Sequence, residues 1–158
     1  MKGSMLSFFI VMLLFSNAYA ADNDLGTYLS SFDYTERKAM KIDSKEAVDL
    51  LKADQAQLID IRFKEEYEAW HMNAAINIPL NELSKRMGEL DKRKIIITAC
   101  PHKDRAIMAR LLLTTNGFQS KYLKDGLIGL AEYLRGDEAK KLVKAIDQMS
   151  PSPADLVK

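Results

Sequence analysis

The pattern of apolar and polar positions along the chain predicts strands and helices in alternation. Ile95-Ile96-Ile97 indicates a strand buried on both faces, and Gln57 to Arg62 is a second such run that turns polar at its end. Shorter strands are predicted at Lys41-Ile42, around Ile76-Asn77-Ile78, and within Phe118 to Leu123. Alternation of this kind in one short chain predicts a single α/β domain with a mainly parallel sheet.

Helical spacing and capping signals predict the elements between these strands. Asp43 and Glu46 stand at capping-box spacing ahead of an apolar helical face. Asn81 is the predicted cap of a helix that runs to about Leu90. The segment 106–116 is apolar on most sides, so we expect a helix sandwiched against the sheet. Further helices are predicted over Phe63 to Trp70, Leu127 to Leu134 and Asp137 to Met149.

Residues 1–20 show the three-part pattern of a secretory signal peptide. Met1-Lys2 gives a positive start, Met5 to Phe15 is almost entirely apolar, and Ala18-Tyr19-Ala20 suits signal peptidase. The apolar run is shorter than the roughly 20 residues that a membrane span needs, which favours cleavage after Ala20 over an uncleaved anchor. We therefore expect a periplasmic or secreted protein with no stable membrane span after cleavage.

Charge argues against one class of partner, and length is consistent with one folded domain. The chain has 23 Lys and Arg against 22 Asp and Glu, and removal of the signal peptide takes away one lysine and no acid. A neutral mature chain argues against nucleic acid as the main partner, since that role requires a basic surface. We predict a signal peptide over residues 1–20, an N-terminal extension over 21–41, the folded domain over 42–135, and a C-terminal helical extension with a frayed tail over 136–158.

Cys100, the only cysteine, is the leading candidate for chemistry. It ends the central strand and is followed by a short polar loop and a helix, the junction at which open α/β folds bind ligands. A small buried hydrophobic residue is the alternative interpretation, but the strand–loop boundary favours a nucleophile. One cysteine allows no internal disulfide framework, and with two histidines the chain lacks the ligands of a zinc site.

The residues after Cys100 predict an anion-binding cradle. Lys103 and Arg105 bring positive charge, and a six-residue loop turns its backbone N–H groups inward. Together with the N-terminus of the next helix, these groups are expected to lower the Cys100 pKa. We expect His102 to be an exposed loop residue. Asp104 is expected to point outward, because its charge opposes the cradle.

Four segments, in this order along the chain, resemble the rhodanese family. The resemblance covers roughly Ile42 to Leu134, and it implies a rhodanese-like three-layer α/β domain with a central, mainly parallel sheet flanked by helices. The matching segments are Leu58 to Arg62 with Glu66-Tyr67, His71 to Pro79, Cys100 to Arg105, and Leu123 to Gly126.

This resemblance implies a sulfurtransferase with no metal or organic cofactor. Cys100 would attack the outer sulfur of thiosulfate, or of a related small donor, and expel sulfite. Cyanide or a thiol would then take the sulfur from the Cys100 persulfide in a ping-pong reaction. Pro101 to Arg105 would form the substrate-binding loop, in which Lys103 and Arg105 hold the sulfonate end of the donor.

One departure from the family pattern supports a second hypothesis. Lys103 stands where single-domain rhodaneses commonly carry glycine, and it would be strained if the backbone there needed a positive φ. A low-turnover persulfide carrier, or a partner-binding module without significant catalysis, is therefore the alternative function.

Two further points concern residues near the loop. Asp60 and Arg62 end a neighbouring strand on the same rim, where they could support the site; a structural role is favoured because buried charges are usually paired. A cysteine phosphatase or arsenate reductase is disfavoured, since four residues (Pro101 to Asp104) separate Cys100 from Arg105 and the signature of those enzymes has five.

Overall fold

The computed structural model describes residues 25–149 and confirms the α/β class. The strands of this part of the chain are β1 Lys41–Ile42, β2 Ala56–Asp60, β3 Ala75–Asn77, β4 Ile95–Ala99 and β5 Ser120–Leu123. They form one sheet in the order β1-β5-β4-β2-β3, and every pairing is parallel. The predicted signal peptide and frayed tail lie outside the described residues.

Helices connect the strands and cover the sheet. The amphipathic segment at the C-terminal side forms a helix with the predicted bounds, and Asp43 caps the helix after β1 by accepting the backbone N–H of Glu46 at 2.9 Å. The helices are α1 Leu25–Ser30, α2 Tyr34–Ala39, α3 Ser44–Lys52, α4 Lys64–Ala69, α5 Leu83–Arg86, α6 Asp104–Thr115, α7 Gly126–Tyr133 and α8 Asp137–Met149, with a 3-10 helix at Met87–Glu89.

The prediction for the segment before β4 is wrong in two respects. Asn81 does not cap a helix; α5 begins at Leu83 after Glu82, which makes no side-chain capping bond. A backbone turn occupies this place, in which the Glu82 N–H donates to the carbonyl of Pro79 at 2.8 Å. The helix also ends at Arg86 and tightens into the 3-10 turn, which contains Gly88, a residue of low helix propensity.

The central strand divides the core into two clusters, one on each face of the sheet. Ile96 and Ile97 are both fully buried and belong to opposite clusters, as expected from the alternation of side chains along a strand. Ile97 packs with Leu58 and Leu127, whereas Ile96 belongs to the cluster that contains Cys100. The cysteine therefore lies at the carboxyl end of β4, the middle strand of the sheet.

The helix α6 packs against β4 and β5, which confirms its predicted position against the sheet, but the expected burial on most of its sides is wrong. Its buried residues are Ala106, Ala109, Arg110 and Leu113, whereas Met108 is 52% exposed. The small alanine side chains let the helix backbone lie close to the sheet, and Leu113 is the large apolar residue that the helix buries completely.

The segment that precedes β1 packs against α6 through a buried arginine. Arg110 donates to the Glu36 carboxylate and to the Tyr28 hydroxyl, and its Nε donates to the Ser120 carbonyl at 3.2 Å. Arg110 is only 4% exposed, so these contacts supply the partners that a buried guanidinium requires. None of the helices within residues 25–149 is long and apolar enough to cross a membrane.

Candidate active site

Cys100 is fully buried at the carboxyl end of β4. Its Sγ is approached by the backbone N–H groups of His102 and Ala106, which come from the loop and the first turn of α6. Strand β4 directs the chain into this turn, and the turn curls its amides around the sulfur. The inward-facing amides expected from the sequence are therefore present.

The loop is shorter than predicted because α6 begins at Asp104, two residues before the expected start. Lys103 is the residue before the helix and has φ −157° and ψ −16°. This φ is negative, so the conformation does not require glycine and the strain expected at Lys103 is absent. Lys103 and His102 are both exposed, as expected for His102.

Asp104 points toward the cysteine, and the prediction that it points outward is wrong. The Cys100 thiol donates to Asp104 Oδ1 at 3.6 Å. Because Asp104 lies in the first turn of α6, the backbone N–H of Arg105 is within reach of its carboxylate, and this hydrogen bond lowers the Asp104 pKa. The negative charge of Asp104 therefore offsets part of the positive charge that the loop was expected to offer to an incoming anion.

The Cys100 pKa is raised rather than lowered. Burial is the main cause, because it disfavours the charged thiolate, and the Asp104 carboxylate adds to the effect. Hydrogen bonds from the backbone amides of Ala106 and His102 oppose the shift but do not reverse it. The predicted lowering of the Cys100 pKa is therefore wrong.

Arg105 is engaged by a carboxylate from α4. Its Nη1 and Nη2 donate to the two oxygens of Glu66 at 2.7 and 2.8 Å, a bidentate geometry. This pairing lowers the Glu66 pKa to about 2 and raises the Arg105 pKa. The sequence led us to expect that Arg105 binds the donor, but here its charge is neutralised by Glu66.

Asp60 and Arg62 form a closed, buried pair. The Arg62 Nε donates to Asp60 Oδ1 at 2.9 Å, and Arg62 Nη2 donates to the Trp70 carbonyl at 2.7 Å. The guanidinium also lies 4.2 Å from the centre of the Trp70 ring. Both side chains are buried, and these partners favour the structural role over a catalytic one.

A glycine turn after β5 holds the loop from its other side. The backbone N–H of Leu127 donates to the Cys100 carbonyl at 2.8 Å, and Ile128 donates to Pro101 at 3.4 Å. Gly126 has φ +66°, and a Cβ there would collide with the carbonyl oxygens of Pro101 and His102. Only glycine allows the two backbones to come this close.

Sequence reasoning assigned no role to Glu66, Gly126 or Arg110. Glu66 and Gly126 were visible only as parts of the family resemblance, and their contacts join residues far apart along the chain. An arginine inside an otherwise apolar helix was the one local signal for Arg110. Among residues 25–149, no group of three or more potential metal ligands lies together.

Comparisons with known proteins agree with this fold. The rhodanese-like domain model matches residues 43–132. YrkF, a candidate sulfur carrier protein of Bacillus subtilis, is 34% identical over 79 residues, which are 50% of this chain and 38% of YrkF. The adenylyltransferase and sulfurtransferase uba4 of Ogataea parapolymorpha is 31% identical over 115 residues, which are 71% of this chain and 28% of that protein. The chain therefore spans less than two fifths of either relative.

A solved structure shows the same fold. The thiosulfate sulfurtransferase of Pseudomonas aeruginosa superposes with a TM-score of 0.56 at 23% identity, over 78% of this chain and 27% of that one. The matched family region runs from the cap of α3 into α7 and so contains the strands β2 to β5 and the whole Cys100 loop. This chain belongs to the rhodanese-like domain family.

Proposed function

We propose that this protein transfers sulfane sulfur through a persulfide on Cys100. The observation that carries the proposal is the position of the Cys100 Sγ at the end of β4, facing the backbone N–H groups of His102 and Ala106. These amides suit a sulfur that becomes negatively charged, because they are fixed donors aimed at the place where the charge develops.

The proposed reaction has two displacements. The Cys100 thiolate attacks the outer sulfur of thiosulfate or a related donor; a Cys100 S–S bond forms, the donor S–S bond breaks, and sulfite leaves with the bonding electron pair. Cyanide or a thiolate then attacks the outer sulfur of the persulfide and releases the Cys100 thiolate. The names of YrkF and uba4 support sulfur chemistry of this kind.

A second candidate function, a persulfide carrier with slow turnover, is favoured by the charges around the thiol. Asp104 lies 3.6 Å from the Cys100 Sγ, and Arg105 is neutralised by Glu66. Both features weaken the attraction of an anionic donor, and the Asp104 carboxylate also helps to raise the Cys100 pKa. Lys103 no longer supports this alternative, since its backbone is not strained.

Thiocyanate formation from thiosulfate and cyanide tests the proposal. We expect measurable activity in the mature protein and none in Cys100→Ser. Intact mass after thiosulfate treatment should show the gain of one sulfur atom on the wild type and no gain on Cys100→Ser. A catalyst shows both signals, and a carrier shows the mass gain with little thiocyanate. No mass gain in the wild type with any sulfane sulfur donor would refute both functions.

Export to the periplasm is proposed on the sequence pattern of residues 1–20. The test is cell fractionation of the full chain, followed by N-terminal analysis of the mature protein. We expect a periplasmic or secreted product that begins at Ala21. A product that keeps Met1 and stays in the cytoplasm would contradict export.

A further inference from the structure

The strongest unexplained feature of the site is the carboxylate beside the nucleophile. Asp104 Oδ1 accepts the hydrogen bond of the Cys100 thiol at 3.6 Å, and the backbone amide of Arg105 holds this carboxylate in place. A negative charge at this position hinders thiolate formation and repels an anionic donor. A protein that only needed to use thiosulfate would gain nothing from it.

The cations nearby offset this charge only in part. Arg105 is held in a bidentate pair with Glu66, so its charge is already neutralised. Lys103 is exposed, and it has no ion-pair partner among residues 25–149. His102 is exposed as well. The charge in contact with the sulfur is therefore the Asp104 carboxylate, and Lys103 is the loop cation that is left to meet a donor.

We infer that Asp104 is a specificity-determining residue that selects persulfides of small thiols as sulfur donors over dianionic thiosulfate. The inference rests on the proposed function and deepens it by naming the donor class. Asp104 contacts the Cys100 thiol, so it acts on the donor through Cys100 and through the repulsion or attraction of its own charge.

The chemistry of a persulfide donor suits a protonated cysteine. The thiol proton of Cys100 passes to the outer sulfur of the donor anion; Cys100 then attacks that sulfur, the donor S–S bond breaks, and the thiolate of the donor leaves with the electron pair. The sum is one thiol and one persulfide anion giving a Cys100 persulfide and a free thiolate. The outer sulfur of thiosulfate is a far weaker base, and its sulfonate brings further negative charge close to Asp104.

Three donors of graded charge test the inference: the persulfide of cysteamine, which carries an ammonium group, the persulfide of mercaptopropionate, which carries a carboxylate, and thiosulfate. The rate of persulfide formation on Cys100 is followed by intact mass for the wild type, Asp104→Asn and Asp147→Asn. Asp147 is an exposed aspartate on α8 and serves as the matched control, since its change removes the same charge far along the chain.

The measured quantity is the ratio of rates with two donors, because a change in the amount of correctly folded protein affects every donor equally and cancels. We expect Asp104→Asn to raise the rate with thiosulfate relative to cysteamine persulfide by about tenfold, the size of effect that one charge in hydrogen-bond contact has on a neighbouring ionisation. The rate with mercaptopropionate persulfide relative to cysteamine persulfide should also rise in Asp104→Asn, but by a smaller factor. Asp147→Asn should match the wild type.

Ratios that are equal in the wild type and Asp104→Asn would overturn the inference and leave the proposed function standing, because Cys100 would still take up sulfur. A wild type that no donor loads would refute the proposed function itself. A purely structural role of Asp104 would change the thermal stability or scale all rates together, and would leave the ratios unchanged.

Discussion

Two arginine–carboxylate pairs lie near the Cys100 loop, and they differ in burial and in connection to the site. Asp60 and Arg62 are 0% and 1% exposed, and further bonds to the Trp70 carbonyl and the Arg62 backbone complete the cluster. Glu66 and Arg105 form an equally good fork, but they are 37% and 24% exposed and join α4 to the first turn of α6. Both are arginine–carboxylate pairs, but the Asp60–Arg62 pair is held inside the protein and the Glu66–Arg105 pair can exchange its partners with solvent.

This difference assigns different tasks to the two pairs. A fully buried charge that loses its partner is left unsolvated, so the first pair must remain intact in the fold. The second pair borders solvent, so water can replace either partner at small cost. We therefore expect changes in the buried pair to appear in stability, and changes in the exposed pair to appear in the kinetics of sulfur transfer.

The largest effect is expected when the buried pair is broken. Arg62→Met should lower the free energy of unfolding by about 3–5 kcal/mol, because Asp60 loses its buried counter-ion. Chemical denaturation measures this loss. The control is Arg93→Met; the Arg93 guanidinium pairs with Asp91 but is 89% exposed, so its loss should leave the free energy of unfolding almost unchanged. Equal effects of the two substitutions would contradict the contrast in burial.

Features that depend on residues close together in the sequence were predicted correctly more often than contacts between distant residues. Local signals located β4, the Asp43 cap and α8, since apolar periodicity and capping act over a few residues. The orientation of Asp104 was missed because the prediction rested on its charge alone, whereas α6 begins two residues earlier than expected and its first turn offers the Arg105 N–H to this carboxylate. The partner of Arg105 comes from α4 and those of Arg110 come from α1, α2 and β5, and no local pattern specifies such pairings.

A moderate kinetic effect is expected when the exposed pair is broken. Glu66→Gln removes the charge that neutralises Arg105, so the KM for thiosulfate should fall by about threefold, a factor within the range of a partly exposed ion pair. Steady-state thiocyanate formation gives this constant. Glu65→Gln is the matched control, because Glu65 is the adjacent exposed residue on α4 and removes the same charge. An unchanged KM in Glu66→Gln would remove Arg105 from donor binding.

The smallest effect concerns pH and stability. Glu66 has a pKa of about 2 in the folded protein, below its ordinary value, because Arg105 stabilises the carboxylate. Its contribution is therefore present above the ordinary carboxyl pKa near 4.5 and is lost as the pH falls toward about 2. The difference in unfolding free energy between the wild type and Glu66→Gln should be below about 1 kcal/mol at neutral pH and should vanish near pH 2. A difference that grows on acidification would refute this assignment.

The contact between the Gly126 turn and the Cys100 loop has a consequence for how this protein can change. The loop is held by main-chain bonds from Leu127 and Ile128, and these bonds do not depend on the side chains of His102 or Lys103. Those two positions can therefore be randomised without loss of the loop's backbone shape, whereas Gly126 cannot. Positions 102 and 103 are therefore suitable for directed evolution of donor preference. The residue that must be kept is Gly126, which lies more than twenty residues further along the sequence.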